Sequence, residues 1–259
     1  MPKVSAVVIT LNEASNISDA LASVAWADEI VVVDSGSTDD TVQLATQHTD
    51  RVTYHPWGGY GAQKDYATSL ASYDWVLSLD ADERITPALA EEITTLLHPE
   101  QGPTHRGYRV PRTTWYANRW MRTTDWYPDY QLRLYDRRGA SWGRDLVHES
   151  VHLDGPPGTL THDIQHYAYR DLAGHVATIN RYTTLAANQM AREGRHAGLT
   201  DLLIHPPAAF LRNYLLRRGC LQGRAGLLVS LMNSYYVLLK YAKLREQVTA
   251  AQAVARGDQ

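Results

Sequence analysis

The residues with the clearest chemical potential are Asp80-Ala81-Asp82-Glu83, directly after the apolar run Trp75-Val76-Leu77-Ser78-Leu79. A run of that kind reads as a strand buried on both faces. A carboxylate at the end of such a strand is costly unless it has a partner. Two of them, one residue apart, suit a hard cation that is also held by substrate phosphates. Taken alone, the same residues are equally a strand that ends in an acidic turn.

Other polar groups fall at comparable places. Residues 4–11 read as a first buried strand, closing on Thr10, Asn12 and Glu13. Residues 29–34 read as a second, ending on Asp34 and followed by the turn Ser35-Gly36-Ser37-Thr38-Asp39. Residues 51–55 give a short third strand and 75–79 a fourth. Helical patterns lie between them, one running through Ile17, Leu21 and Val24 with Ser15 or Asn16 as its cap. Strands alternating with helices predict a parallel α/β sheet, and such sheets bind ligands beyond the carboxyl ends of their strands. There is no Gly-x-Gly-x-x-Gly after the first strand and no Walker lysine, so dinucleotide and P-loop sites are excluded. Lys64 follows the glycine-containing loop 57–61 and opens a helix. A cation at a helix start opposes the macrodipole, which suits a lysine facing a diphosphate better than a solvated one.

The series Val7-Val8-Ile9-Thr10-Leu11-Asn12-Glu13, Val32-Val33-Asp34-Ser35-Gly36-Ser37-Thr38-Asp39, Gly61-Ala62-Gln63-Lys64 and Leu79-Asp80-Ala81-Asp82-Glu83 resembles the signatures of family 2 inverting glycosyltransferases. It is most like the bacterial lipopolysaccharide core β-glucosyltransferase group. The resemblance implies a GT-A fold, with a Rossmann-like, mostly parallel central sheet flanked by helices, and a nucleotide-sugar donor bound with Mg²⁺ or Mn²⁺. By the same resemblance Thr10 and Glu13 line the base and ribose pocket. Asp34 accepts from the base, Lys64 lies near base or diphosphate, Asp80 and Ala81 meet the nucleotide-sugar, and Asp82 holds the metal. A Val-His-Glu element stands where inverting members keep their base, which makes Glu149 the candidate, with His148 beside it. Inversion needs a carboxylate that takes the acceptor hydroxyl proton during attack.

His162 and His166 are four residues apart, a metal-binding spacing on a helix but a weak one without a zincin glutamate. The fold family supplies a histidine to its metal after the base, and His166 is the better match; a structural histidine is the other reading. Thr86-Pro87 begins a helix, with Thr86 as N-cap and Pro87 as its first residue. Residues 107–111 and 130–135 have strand character. Between them Trp115, Tyr116, Arg119, Trp120, Arg122, Trp126 and Tyr127 form either a core-edge cluster or an acceptor wall in which rings stack on sugars and Arg pairs with phosphate.

Residues 171–193 read as a helix whose buried face is Val176, Ile179, Tyr182, Leu185, Ala186 and Met190. From Pro206 onward the chain becomes amphipathic, basic and tyrosine-rich. From His205 to the end eight Lys and Arg face two acids, a local +6 against a net −3 for all 259 residues. The domain reading is therefore 1–200 as a GT-A catalytic domain, with its acceptor side mainly at 105–170, and 201–259 as a basic amphipathic helical extension. Such helices suit the plane of an anionic bilayer, or else pack on the sheet domain or a second copy. No run of about 18 apolar residues predicts a membrane span. The start of the chain lacks signal-peptide features, and the single Cys220 fits a reducing compartment.

The expected function is metal-dependent, inverting transfer of a hexose, glucose from UDP-glucose, to a lipid-anchored saccharide such as the lipopolysaccharide inner core. The expected place is the cytoplasm, peripherally on the inner face of the cytoplasmic membrane. No nucleic-acid partner is expected, and a homo-oligomer is left open. The competing readings are a nucleotidyltransferase, which lacks its basic glycine-rich loop here, and a non-catalytic membrane-recruited module of the same fold.

Overall fold

The computed structural model describes residues 2–100, 102–143 and 151–256. The chain divides into two compact units, 1–113 with 129–167, and 114–128 with 168–259.

The first unit is built on a sheet. Its strands are β1 (Val4–Thr10), β2 (Glu29–Asp34), β3 (Val52–Tyr54), β4 (Trp75–Asp80), β5 (Glu83–Ile85), β6 (Gly107–Tyr116), which runs on into the second unit, β8 (Asp129–Asp136), β11 (Gly158–Thr159) and β12 (Ile164–His166). The hairpin strand β7 (Arg119–Met121) pairs with the far end of β6. The order along the sheet is β3-β2-β1-β4-β8-β6-β12-β5. β3, β2, β1 and β4 are parallel, whereas β8 joins β4 antiparallel and β6 joins β8 antiparallel. A separate antiparallel pair is made by β9 (Ala140–Trp142) and β10 (Val151–Leu153).

The parallel half follows from its sequence. All seven residues of β1 are buried, as a strand covered on both faces must be. Helices α1 (Ile17–Ser23), α2 (Thr41–Ala45), α3 (Tyr60–Ser69) and α4 (Pro87–Leu96) follow strands in turn. One core layer packs Ile17, Leu21, Leu89 and Ile93 against Leu77, Leu79 and Leu134; the opposite layer packs Ala67 and Ala71 against Val7, Val33 and Val76. Thr86 caps α4 by accepting from Leu89 N at 3.2 Å, with Pro87 in the first turn, as its sequence requires. Asn16 occupies the N-cap position of α1 but makes no side-chain cap bond there.

The second unit is helical, with α5 (Leu172–Arg192), α6 (Leu199–Leu211) and α7 (Gly223–Arg256). One expectation changes here. The buried face of α5 is His175, Ile179, Thr183, Ala187 and Met190, while Val176, Tyr182 and Leu185 are exposed. The inward stripe keeps an i, i+4 spacing that admits a small Thr and Ala where α7 lies close, so apolar character alone misplaced the face. α6 starts at Leu199 and carries Pro206 and Pro207 inside it, ending in a single wide π turn at Arg212–Leu216.

Two residues of the aromatic stretch, Tyr116 and Trp126, belong to a core cluster in this unit, while Arg119 and Arg122 are exposed. Tyr116 and Met121 are buried with Ala225 and Val229, and Trp126 and Tyr169 pack on them. The Tyr116 hydroxyl bonds to His175 Nδ1 at 2.7 Å. Burial, with Tyr169 nearby, pushes the Tyr116 phenol up to about 12, and burial pushes His175 down to about 4.

Candidate active site

Parallel pairing decides where the polar residues meet. β1 pairs Thr10 with Asp34 of β2 on one side and Ile9 with Asp80 of β4 on the other. The carboxyl ends of three strands are thereby level, and Thr10 and Asp34 are both buried there. Among the described residues the buried Thr10 hydroxyl has no hydrogen-bond partner.

The two loops leaving β1 and β2 are stitched together. Asn12, in the left-handed region at φ 56°, accepts from Thr38 N at 2.8 Å and donates its own N–H to Ser37 Oγ at 2.8 Å. Glu13 N donates to Thr41 Oγ1 at 2.8 Å, and Glu13 Oε2 accepts from Asn16 at 2.8 Å. Asp34 spends both oxygens on its own turn. Gly36 N and Ser37 N donate to Oδ2 at 2.8 and 2.9 Å, and Ser37 Oγ donates to Oδ1 at 2.5 Å. On the neighbouring helix Gln63, fully buried, donates to Ser35 Oγ at 2.6 Å and to the His55 carbonyl at 3.0 Å.

Lys64 is a buried lysine, 3% exposed. Its Nζ lies 3.0 Å from Asp80 Oδ1 and 3.3 Å from Oδ2, and 5.1 Å from the centre of the Trp142 ring. Asp80 takes a second cation, Arg133 Nη2, at 2.6 Å. Burial by itself would raise the Asp80 pKa; the Arg133 and Lys64 charges outweigh it and hold the carboxylate well below its usual range. Ala81 is buried and sets the next side chain, Asp82, partly outward.

Asp82 meets His166 because β5 and β12 pair antiparallel, His166 opposite Glu83, while Tyr167 N donates to the Asp82 carbonyl at 2.8 Å. The His166 Nε2 and Asp82 Oδ2 atoms are 3.3 Å apart, at 16% and 26% side-chain exposure. His166 thus sits in a strand, and the helix on which His162 and His166 would share a face does not form. His162 instead contacts Glu92, with Nδ1 at 2.9 Å from Oε2. Glu149 and His148 lie outside the described residues. No cluster of three or more His, Cys, Asp or Glu able to hold a metal occurs among the described residues.

Residues 5–150 match the sequence profile described as glycosyl transferase family 2. The chain belongs to glycosyl transferase family 2. It is 33% identical over 254 residues to the lipopolysaccharide core biosynthesis glycosyltransferase LpsC of Rhizobium meliloti, covering 94% of this chain and 92% of that one. It is 31% identical over 265 residues to an uncharacterized glycosyltransferase of Rickettsia felis, covering 98% and 93%. Among solved structures, it is similar, with TM-score 0.36 and 26% identity, to glucosyl-3-phosphoglycerate synthase from Mycobacterium tuberculosis in complex with Mn²⁺, uridine diphosphate and glucosyl-3-phosphoglycerate. That likeness spans 44% of each chain, less than half of either.

Three residues of this family 2 transferase carry the acidic turn: Glu83, which the sequence leaves without a role, and Arg112 and Arg133, which it does not single out. Glu83 is fully buried. Its Oε1 accepts from Arg112 Nη1 at 2.7 Å and Arg133 Nη2 at 2.6 Å, and its Oε2 accepts the Asp80 N–H at 3.1 Å. Arg112 also donates Nη2 to Asp129 at 2.6 Å. Burial would raise the Glu83 pKa, but Arg133 and Arg112 more than reverse that and keep it ionised. The signal in the sequence was Arg133 itself, a charged residue between Leu132 and Leu134 in a strand. A guanidinium there must have a buried partner.

Proposed function

We propose that this family 2 transferase is a metal-dependent, inverting hexosyltransferase that moves glucose from UDP-glucose to a lipid-anchored saccharide of the lipopolysaccharide core type, at the inner face of the cytoplasmic membrane. The observation that carries the reading is the Asp82–His166 pair, 3.3 Å apart and partly exposed, beside an Asp80 fixed by two cations. The kinship to LpsC, a lipopolysaccharide core biosynthesis enzyme by name, supports the acceptor class.

The residues present fit a divalent ion. One carboxylate and one imidazole leave the remaining positions to diphosphate oxygens and water, which is how Mg²⁺ and Mn²⁺ are commonly held. When bound, the ion would offset diphosphate charge and stabilise the leaving group. The chain's own residues do the rest. Lys64 and Arg133 keep Asp80 ionised and still, so that it accepts from ribose hydroxyls. The Thr10 hydroxyl, without a hydrogen-bond partner among the described residues, lies in register with Asp34 at the strand ends, and with Glu13 would line the nucleoside side. Glu149 takes the acceptor hydroxyl proton as that oxygen attacks the anomeric carbon from the face opposite the diphosphate.

The test is product formation from labelled UDP-glucose with Mn²⁺ and a lipopolysaccharide-core acceptor, beside a thermal-shift screen of UDP-, GDP- and dTDP-sugars. UDP-glucose should raise the melting temperature most, and Asp82→Ala should abolish transfer. Full transfer by Asp82→Ala would remove the metal role. Product formation also separates an enzyme from a binding module.

A further inference from the structure

The helical unit carries an apolar surface to which the proposed transfer chemistry assigns no role. Of the 21 large apolar side chains exposed among the described residues, 15 lie between Leu172 and Leu238, so the apolar exposure is concentrated rather than scattered. Its most exposed part is α6 and the turn after it. Pro206 and Ala209 of α6 are buried; the Pro206 carbonyl accepts from Ser234 Oγ at 2.8 Å, and His205 stacks on Tyr241 with 5.1 Å between ring centroids. That side therefore packs on α7. Leu203 and Ile204 point away from it at 72% and 60% exposure, and Leu216 and Leu221 in the turn reach 79% and 73%.

The charge around this face is predominantly positive. Residues 202–245 contain seven Lys and Arg and no Asp or Glu. Arg212 and Arg217 share the nearby Asp125, at 2.5 and 3.5 Å. Arg218 and Arg224 are exposed beside Leu216 and Leu221. Exposed leucines set among cations, with Asp201 at the start of α6 and the arginine-paired Asp125 as the nearby acids, complement an anionic lipid surface. A second copy of the chain is the poorer occupant, because two-fold pairing of this face would set the same cations against themselves. No described helix is long and apolar enough to cross a membrane, so the fit is to the plane of the interface.

We propose that the outer face of α6 and the Leu216–Leu221 turn dock this transferase on a bilayer rich in anionic phospholipid. Leu203, Ile204, Leu216 and Leu221 enter the acyl boundary, and Arg218 and Arg224 meet the phosphates. The proposal rests on the reading of a lipid-linked acceptor and names the surface that brings the enzyme to it.

Co-sedimentation of the full chain with phosphatidylcholine vesicles, with and without phosphatidylglycerol, tests it. The wild type should pellet with the anionic vesicles and release as salt rises. Arg218→Gln with Arg224→Gln should weaken that binding about fivefold per arginine. Leu203→Glu with Ile204→Glu should leave the protein in the supernatant while its thermal shift with UDP-glucose and Mn²⁺ stays that of the wild type. Wild type that ignores anionic vesicles, or a Leu203/Ile204 variant that pellets unchanged, would overturn the proposal. So would a dimer in analytical ultracentrifugation that this variant splits. Vesicle binding lost by the variant, in a protein that shows no shift with UDP-glucose, upholds the docking surface and removes the donor reading alone.

Discussion

Replacing Glu83 with glutamine changes one atom's chemistry at the centre of the buried network. Lys64, Arg133 and Arg112 face Asp80, Glu83 and Asp129, three charges of each sign. Glu83 is fully buried and Arg133 is 2% exposed, so water cannot take over a lost partner. Glu83→Gln leaves one positive charge uncompensated and sets an amide beside two guanidinium donors. Breaking a buried pair from one side costs about 3–5 kcal/mol. At roughly 2–4 °C per kcal/mol for a chain of this size, the melting temperature should fall by about 6–20 °C. Arg112→Gln should cost less, because Arg112 is 18% exposed at its side chain and leaves Glu83 its Arg133 contact. A double-mutant cycle should give a coupling of about 0.5–3 kcal/mol between the two sites. The pH dependence has a definite sign. The folded Glu83 and Asp80 pKa values are depressed, so their contribution is complete above the ordinary carboxylate range of about 4 and is lost as pH falls below it. Urea melts at neutral pH and through that acid range would show a shallower acid loss in Glu83→Gln. A variant that melts within about 1 °C of wild type, where a real loss would move it by several degrees, refutes the idea that this network holds the acidic turn.

Lys64→Met keeps the buried volume and leaves Asp80 with Arg133 alone; the UDP-glucose-induced thermal shift should shrink by more than the apo melting temperature drops. His175 is held neutral to about pH 4 against an ordinary 6.5, so stability from it is full above 6.5 and is lost as pH falls from 6.5 towards 4. Thermal melts across that range should be flatter for His175→Gln than for wild type. At Gly226 an added Cβ would strike the Gly219 carbonyl directly. Gly226→Ala should therefore destabilise the turn before α7 by about 1–3 kcal/mol or more, read by chemical melts; an unchanged midpoint would mean that the turn shifts freely.

The parallel half of the sheet was legible because each strand is a short apolar run closed by a polar turn, and that local pattern is enough to level Thr10, Asp34 and Asp80. The cap at Thr86 was legible for the same reason. Lys64 drew notice by standing against the helix dipole, but its partner Asp80 could not be read, since the contact depends on how α3 crosses β4. The antiparallel half is made of long-range pairings: β8 joins β4, and β12 joins β5. Nothing local in Arg133 or Glu83 names the other. The helical unit misled more, because its exposed leucines have the same periodicity as buried ones, and the inward stripe of α5 contains His175 and Thr183.

The order of the strands has a further consequence for solubility. Only two residues, Ala81 and Asp82, separate β4 from β5, yet β5 lies at the far end of the path β4-β8-β6-β12-β5. That half of the sheet must curl back towards its own strand β4, turning β5 away from the role of an open border. The other border is β3, three residues long and ending in an exposed Tyr54. A short strand offers few free backbone groups to a neighbouring chain. The same curl that gathers Arg112, Arg133 and Glu83 into one buried cluster thus also protects the sheet against edge-to-edge aggregation.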